Sequence, residues 1–283
     1  MRPIRERLRR LHGASAERQA AERESAIHAA PPGLREALLR HRERALRGRV
    51  VVELPPAGET ANDRGTCYLL RLEYDLAFGH GARSLGLARA VDWERIAELA
   101  PGGVVPEGLE QCLFLDTETT GLGGGAGTLV FLCGFGFFEA ERFVLEQVFL
   151  RAFAEEAAAL AHVATRLAER PWLVTFVGKS FDRHRLAARM SLHRVDSGVL
   201  SDRHLDLYHL ARRAFGKTLP DVRLRTVEER ILGLRRTDDL PGSQAPWAFL
   251  EWIRDRTGPV DRVMEHNRLD VLSLVTLLAA LGE

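Results

Sequence analysis

The chain has 283 residues and a mass of 31.6 kDa, long for one typical domain of about 100–200 residues and short for three. Hydrophobic residues make up 46% and charged residues 28%, enough apolar material for a sizeable core and too much for global disorder. The net charge of +1 is uneven: residues 1–48 hold twelve arginines against six glutamates, a segment of +6, so the remaining 235 residues carry −5.

In chain order, residues 1–48 mix Arg, Glu, Ala and Leu without strand-like alternation and break at Pro31-Pro32-Gly33. The segment reads as two short helices or a partly disordered arm. A basic arm beside an acidic body suits a polyanionic partner, and a solvated amphipathic helix suits it equally. The opening MRPIRERLRRLHG carries charge where a signal peptide is apolar, so a cytoplasmic location is expected. Residues 49–105, with VVEL, TCYLLRLEYDL and glycines at Gly79, Gly81 and Gly86, read as a small β-rich unit with a helix over 92–100. Pro101-Gly102-Gly103 follows as a linker.

The texture changes near Gln111. CLFL (112–115) is a short buried strand, and 128–138 and 142–150 form a hairpin. The spacing predicts helices over 153–170, 182–192, 204–215, 223–232, 247–256 and 259–281, with an apolar strand at 172–177. No apolar run approaches the ~18 residues of a membrane-spanning helix. Cys67, Cys112 and Cys133 are too few and too scattered for a disulfide framework or a zinc site, and Cys112 and Cys133, in or beside apolar runs, read as buried free thiols.

The sharpest chemical signal is Asp116-Thr117-Glu118-Thr119-Thr120-Gly121, directly after the 112–115 strand. Residues i and i+2 of a strand share a face, so Asp116 and Glu118 project together, and paired carboxylates suit hard cations such as Mg²⁺ or Mn²⁺. Asp92-Trp93-Glu94 repeats the spacing without that context and reads as coincidence. Asp182 opens a helix after the 172–177 strand; alone it reads as a cap. His266 and Asp270 are i, i+4 on the last helix; alone they read as a solvated pair. Three such pieces in order, each beside the expected element, outweigh those separate readings. Gly178-Lys179-Ser180 and Gly216-Lys217-Thr218 mimic a phosphate loop but have Leu173 and Ala211 where its first glycine belongs. Gly123 to Gly127 reads as a turn bordering the metal site, and Asp206 as an accessory or structural acid.

The motifs DTETTGLGGGAGT (116–128), GKSFD (178–182), TVEERILGLRR (226–236) and EHNRLDVLSL (265–274) resemble the DEDD, or DnaQ-like, superfamily of ribonuclease H-like 3′–5′ exonucleases. Within it the chain is similar to the bacterial YprB-like ribonuclease H-like domain. The resemblance covers about residues 111–283 and implies an α/β fold, a ribonuclease H-like mixed β-sheet flanked by helices; the domain is expected over 106–283, after the β-rich unit (49–105) and the basic helical arm (1–48) read above. It implies Asp116, Glu118, Asp182 and Asp270 as ligands of two Mg²⁺ or Mn²⁺ ions, with His266 as general base. Asp116 is expected to bridge the ions, with Glu118 and Asp270 on one and Asp182 outer-sphere or on the other. Thr119, Gly121, Lys179, Phe181, Arg183 and Arg185 are the expected substrate contacts. Arg183, His184, Arg185, Arg189 and Arg194 form a candidate phosphate track.

Two departures stand out. Val177 occupies a position where related proteins usually carry Asn, and His266 precedes Asp270 by four residues where the histidine subclass usually has five. The expected activity is 3′–5′ exonucleolytic hydrolysis of single-stranded DNA or RNA by a two-metal mechanism. The alternatives are a catalytically silent nucleic-acid-binding module of the same fold, and an endonuclease.

Overall fold

The computed structural model describes residues 50–121, 127–179, 181–200 and 202–283. The expected arm over 1–48 and most of the 123–127 turn lie outside the described residues. Val51–Glu283 form one compact unit.

The strands are β1 (Gly58–Asn62), β2 (Gly65–Asp75), β3 (Gly79–His80), β4 (Arg83–Ser84), β5 (Cys112–Thr119), β6 (Val130–Glu139), β7 (Arg142–Phe149), β8 (Trp172–Thr175) and β9 (His204–Asp206). Seven of them make one mixed sheet in the order β1-β2-β7-β6-β5-β8-β9, and β3 and β4 make a small separate ribbon. Strands β8 and β9 run parallel to β5, and the other neighbours are antiparallel. Counted from β5, the central five have the order 3-2-1-4-5, the ribonuclease H-like arrangement. The stretch 49–105 is β-rich, but its first two strands extend this same sheet: β2 pairs with β7 from Tyr68↔Phe149 to Asp75↔Arg142. VVEL is not a strand. It lies along the 245–256 region, where the Val52 N–H donates to the Arg256 carbonyl (2.7 Å) and its carbonyl accepts from Trp252 Nε1 (2.8 Å).

The helices are α1 (Trp93–Leu99), α2 (Glu156–Glu169), α3 (Asp182–Leu192), α4 (Leu207–Phe215), α5 (Leu224–Val227), α6 (Ala245–Asp255) and α7 (Val260–Leu281). Asp92 caps α1, accepting from the Glu94 and Arg95 N–H groups, which explains the stray D-x-E. Of the expected 204–215 helix, His204–Asp206 are strand, because they pair with Leu173–Thr175 of β8. The 223–232 helix begins as α5 and finishes as a π-turn, Glu228–Leu232, closed by Gly233 in the left-handed region (φ 64). No helix among the described residues is long and apolar enough to cross a membrane.

The core forms two buried clusters that divide β5 by its period of two. Leu113 and Leu115 join one with Phe131, Leu160, Met190, Phe249 and Trp252; Cys112 and Phe114 join the other with Phe143, Leu205, Leu210 and Val275. Phe131 stacks on Phe249 with centroids 4.2 Å apart. Helix α7 serves both clusters, Val260–Met264 in the first and Val271–Leu281 in the second, so its middle turns pass the end of β5. All three cysteines are free and buried.

After β8 the chain turns sharply at Val177, which has φ 62. A β-branched residue is rarely found there, whereas Asn tolerates it. The turn is imposed by Asp206, whose carboxylate accepts from the Val177 N–H (2.8 Å) and the Lys179 N–H (3.1 Å). The Asn usual in related proteins is therefore the residue that this backbone conformation favours. Val177→Asn is expected to raise stability by about 1 kcal/mol, read as a higher thermal midpoint, because it relieves left-handed strain without changing the Asp206 contacts. A midpoint unchanged or lowered would show that Val177 is not strained.

Candidate active site

Strand β5 pairs with β8 only from Cys112↔Trp172 to Phe114↔Val174. Beyond that, Asp116–Thr119 pair with β6 alone, and a bulge falls between Glu118 and Thr119. A gap opens at the carboxyl ends of two adjacent parallel strands, where α/β sheets characteristically bind ligands. An open pocket of about 360 Å³ occupies it. All five expected catalytic residues line it: Asp116, Glu118, Asp182, His266 and Asp270. So do Thr119, Gly121, Phe181 and Arg185 of the expected substrate contacts, together with Thr117, Gly242, Ser243 and Pro246.

Lys179 and Arg183 are not brought to this pocket. Lys179 is exposed and engaged through its backbone N–H; Arg183 donates to the Leu200 carbonyl (3.1 Å) and to Asp202 (2.9 Å). Arg189 is paired with buried Glu156 (2.5 Å). Of the candidate phosphate track, only Arg185 reaches the pocket, its guanidinium 5.0 Å from the centroid of the Phe181 ring. On one helix, successive arginines face different directions, and α3 turns most of them away.

Asp116 is held from α7. Asn267 Nδ2 donates to the Asp116 carbonyl (3.1 Å) and to its Oδ2 (2.8 Å). Gln147 of β7 donates to Asn267 Oδ1 (2.8 Å) and to the Met264 carbonyl (2.7 Å). This close approach of helix to sheet requires Gly134 on β6, where a Cβ would lie 2.0 Å from Asn267 Oδ1. Asp182 is the first residue of α3, not its cap, and suits the positive end of the helix. It accepts from Thr117 Oγ1, and Gly178 packs so tightly that a Cβ there would stand 2.8 Å from Asp182 Oδ2.

His266 Nδ1 lies 2.8 Å from Asp239 Oδ1, and its Nε2 lies 3.6 Å from Asp270 Oδ2. The other oxygen of Asp270 is ion-paired with Arg236, whose buried guanidinium also binds Glu228 and approaches Asp239 Oδ2 (3.4 Å). Ser273 donates to Glu228 (2.5 Å), and His80 Nε2 lies 2.8 Å from the Ser273 hydroxyl. Asp206, read as accessory or structural, pins the 177–179 loop and caps α4 through the Tyr208 N–H (3.1 Å).

A family model for the RNase H superfamily matches residues 113–282, the segment that runs from β5 through α7 and supplies every acid above. The chain belongs to the RNase H superfamily. It is also 34% identical over 215 residues to YprB, an uncharacterized protein of Bacillus subtilis (strain 168), across 75% of this chain and 52% of that protein. The chain thus carries a YprB-like ribonuclease H-like domain and spans about half the length of that relative. Membership of this superfamily supports a nuclease-type activity.

The acids burden one another. Burial, then the Asp270, Glu118 and Asp182 charges, push the Asp116 carboxyl well above its ordinary range, against the lowering pull of Asn267. Burial and the charges of Asp270, Asp182 and Asp239 do the same to Glu118. Asp182 is pushed up to about 6, mainly by burial, with Thr117 and Arg185 pulling the other way. Such excess negative charge on hard oxygens fits a divalent cation in donor chemistry. Yet among the described residues no three His, Cys, Asp or Glu side chains converge on one point. One oxygen of Asp182 is engaged by Thr117 and one of Asp270 by Arg236, so gripping an ion requires some of these side chains to turn.

Asn267, Gln147, Gly134, Arg236 and Asp239 escaped the sequence reading. Asn267 stands inside EHNRLD, one residue after His266, and Arg236 closes TVEERILGLRR, so both lay within quoted motifs without a signal of their own.

A carboxyl whose pKa rises on folding binds its proton more tightly in the folded state. Its ionised form therefore weakens the fold above about pH 6, and the penalty fades as pH falls towards 4. Without divalent ions, Asp182→Asn is expected to stabilise the protein at pH 8 by roughly 1–2 kcal/mol, a figure reduced because the group borders an open pocket. The advantage should close between about pH 6 and pH 4 in thermal melts. An advantage independent of pH would exclude charge as its cause.

Proposed function

We propose that this chain is a metal-dependent nuclease that hydrolyses single-stranded DNA or RNA from the 3′ end. The observation that carries the reading is the meeting of Asp116, Glu118, Asp182, Asp270 and His266, from β5, α3 and α7, around one pocket. The four acids are the residues to hold Mg²⁺ or Mn²⁺, two ions in all. When bound, such ions stabilise charge on the attacked phosphate and on the leaving oxygen. His266, which lines the pocket, takes the proton of the attacking water as general base. Phe181, 44% exposed at the rim, offers a stacking face to a nucleobase, and Arg185 beside it offers a charge to a phosphate. Single-strand preference and 3′ polarity follow the DEDD resemblance.

The silent binding module has one observation in its favour: Arg236 seated on Asp270, an internal cation where a metal ligand is needed. End-labelled single-stranded DNA and RNA, incubated with Mn²⁺, Mg²⁺ or EDTA, separate the readings. A ladder shrinking from the 3′ end supports the exonuclease, internal fragments support the endonuclease, and binding without products supports the module. Asp116→Ala is expected to abolish hydrolysis and weaken Mn²⁺ binding while the fold survives. His266→Ala is expected to lower turnover by about 10²–10⁴-fold with metal affinity nearly unchanged. Undiminished turnover in Asp116→Ala at saturating Mn²⁺ would overturn the ligand assignment.

A further inference from the structure

We propose that Asp239 is the positioning residue of His266, fixing the ring in the tautomer that turns a lone pair on Nε2 towards the pocket. The chemical value of that tautomer rests on the hydrolytic role given to His266 above; the pairing itself does not. Three charged groups surround the ring: Asp239, Asp270 and Arg236. The Asp239 Oδ1–Nδ1 distance is 2.8 Å, whereas Arg236 Nη1 stands 3.4 Å from the same nitrogen and Asp270 Oδ2 stands 3.6 Å from Nε2. Nδ1 has one in-plane position for a partner, and the shortest contact is with a carboxylate, which only accepts. The proton therefore belongs on Nδ1. In an imidazole, the bond made at one nitrogen decides the state of the other, so Nε2 is left as the acceptor.

The geometry around this pair excludes an incidental surface contact. Asp239 and His266 are 27 residues apart, and both side chains are about four-fifths buried (21% and 17% exposed). The second Asp239 oxygen faces Arg236, and Arg236 is braced by Glu228, which Ser273 holds from α7. Asp239 is thus presented from a strap whose root is locked. The same strap carries Gly242 over the other edge of the ring, where a Cβ would lie 3.5 Å from Nε2, and then supplies Ser243 and Pro246 to the pocket wall. One segment therefore sets the tautomer of His266, leaves space at Nε2 and closes the pocket beside it.

The test uses the full chain, labelled with ¹⁵N-histidine and kept near pH 8. Ring ¹⁵N shifts of His266 are expected to report Nδ1–H in the wild type and a shift towards Nε2–H, the tautomer that free imidazole side chains prefer, in Asp239→Ala. Asp239→Asn keeps an oxygen acceptor and is expected to retain Nδ1–H; it also serves if the alanine variant folds poorly. In the nuclease assay, Asp239→Ala is expected to lower kcat by about 10–100-fold with KM unchanged, and Asp239→Asn to recover most of the loss. In a His266→Ala background, Asp239→Ala is expected to add nothing. A wild-type Nε2–H signal would overturn the proposal whatever the activity. So would an equal loss from Asp239→Ala with His266 absent, because the residue would then act on the fold. A wild-type Nδ1–H signal with normal turnover in His266→Ala would uphold the pairing and remove the general base from the proposed mechanism.

Discussion

The amide of Asn267 joins the last helix to the central strand, and the site depends on that junction. Its Nδ2 binds both the carbonyl and the carboxylate of Asp116, and its Oδ1 accepts from Gln147 of β7. One fully buried side chain thereby ties α7, β5 and β7 together, with Gly134 of β6 leaving room for it. A buried amide with unmet bonds costs about 1–3 kcal/mol, so every partner constrains the others. Because Asn267 sits between His266 and Asp270 in sequence, anchoring it also sets the rotation of α7 that turns both towards Asp116. The amide stabilises the charged form of Asp116, partly offsetting the burial that opposes it.

Around that junction the protein concentrates a charge conflict. Four carboxylates share one pocket; burial and the neighbouring acids push Asp116 and Glu118 well up, and burial raises Asp182 to about 6. Elsewhere the fold pairs its buried acids: Glu146 is held down to about 2 by His162 and Arg166, against burial, and Glu156 is ion-paired with Arg189 and close to His193. Among the described residues the acids of the pocket lack that compensation, apart from Arg236 on Asp270 and Arg185 near Asp182. Perturbed carboxylates gathered in a cleft, beside well-neutralised ones outside it, are the pattern expected of a functional site that costs the fold stability.

The sheet topology creates the cleft before any side chain acts. β5 outruns its pairing with β8, and the chain leaves β8 through a left-handed turn that Asp206 dictates from β9. That turn delivers Phe181 and Asp182 to the rim opposite β5. The strap from Arg236 to Pro246 then walls the pocket on the α7 side. Three separate crossings of the chain, each anchored by a buried carboxylate or amide, surround a space that none of them forms alone.

Local pattern was sufficient for part of this. CLFL followed by two carboxylates reads as a buried strand emerging at its end, because alternation and apolarity are properties of neighbouring residues. The i, i+4 placement of His266 and Asp270 follows from helix geometry alone. The 128–138 and 142–150 hairpin and the long apolar α7 were legible for the same reason. What tertiary structure decided is what depends on partners far away in sequence. β1 and β2 read as a unit of their own until the unpaired edge of β7 is known to receive them. Lys179, Arg183 and Arg189 looked equivalent to Arg185 as a list of charges, and only the loop pinned by Asp206 and the packing of α3 sort them. Asn267, Arg236 and Asp239 are ordinary polar residues in sequence. Their bonds span 151, 34 and 27 residues, and no local rule encodes a contact that exists only once the sheet and the last helix have met.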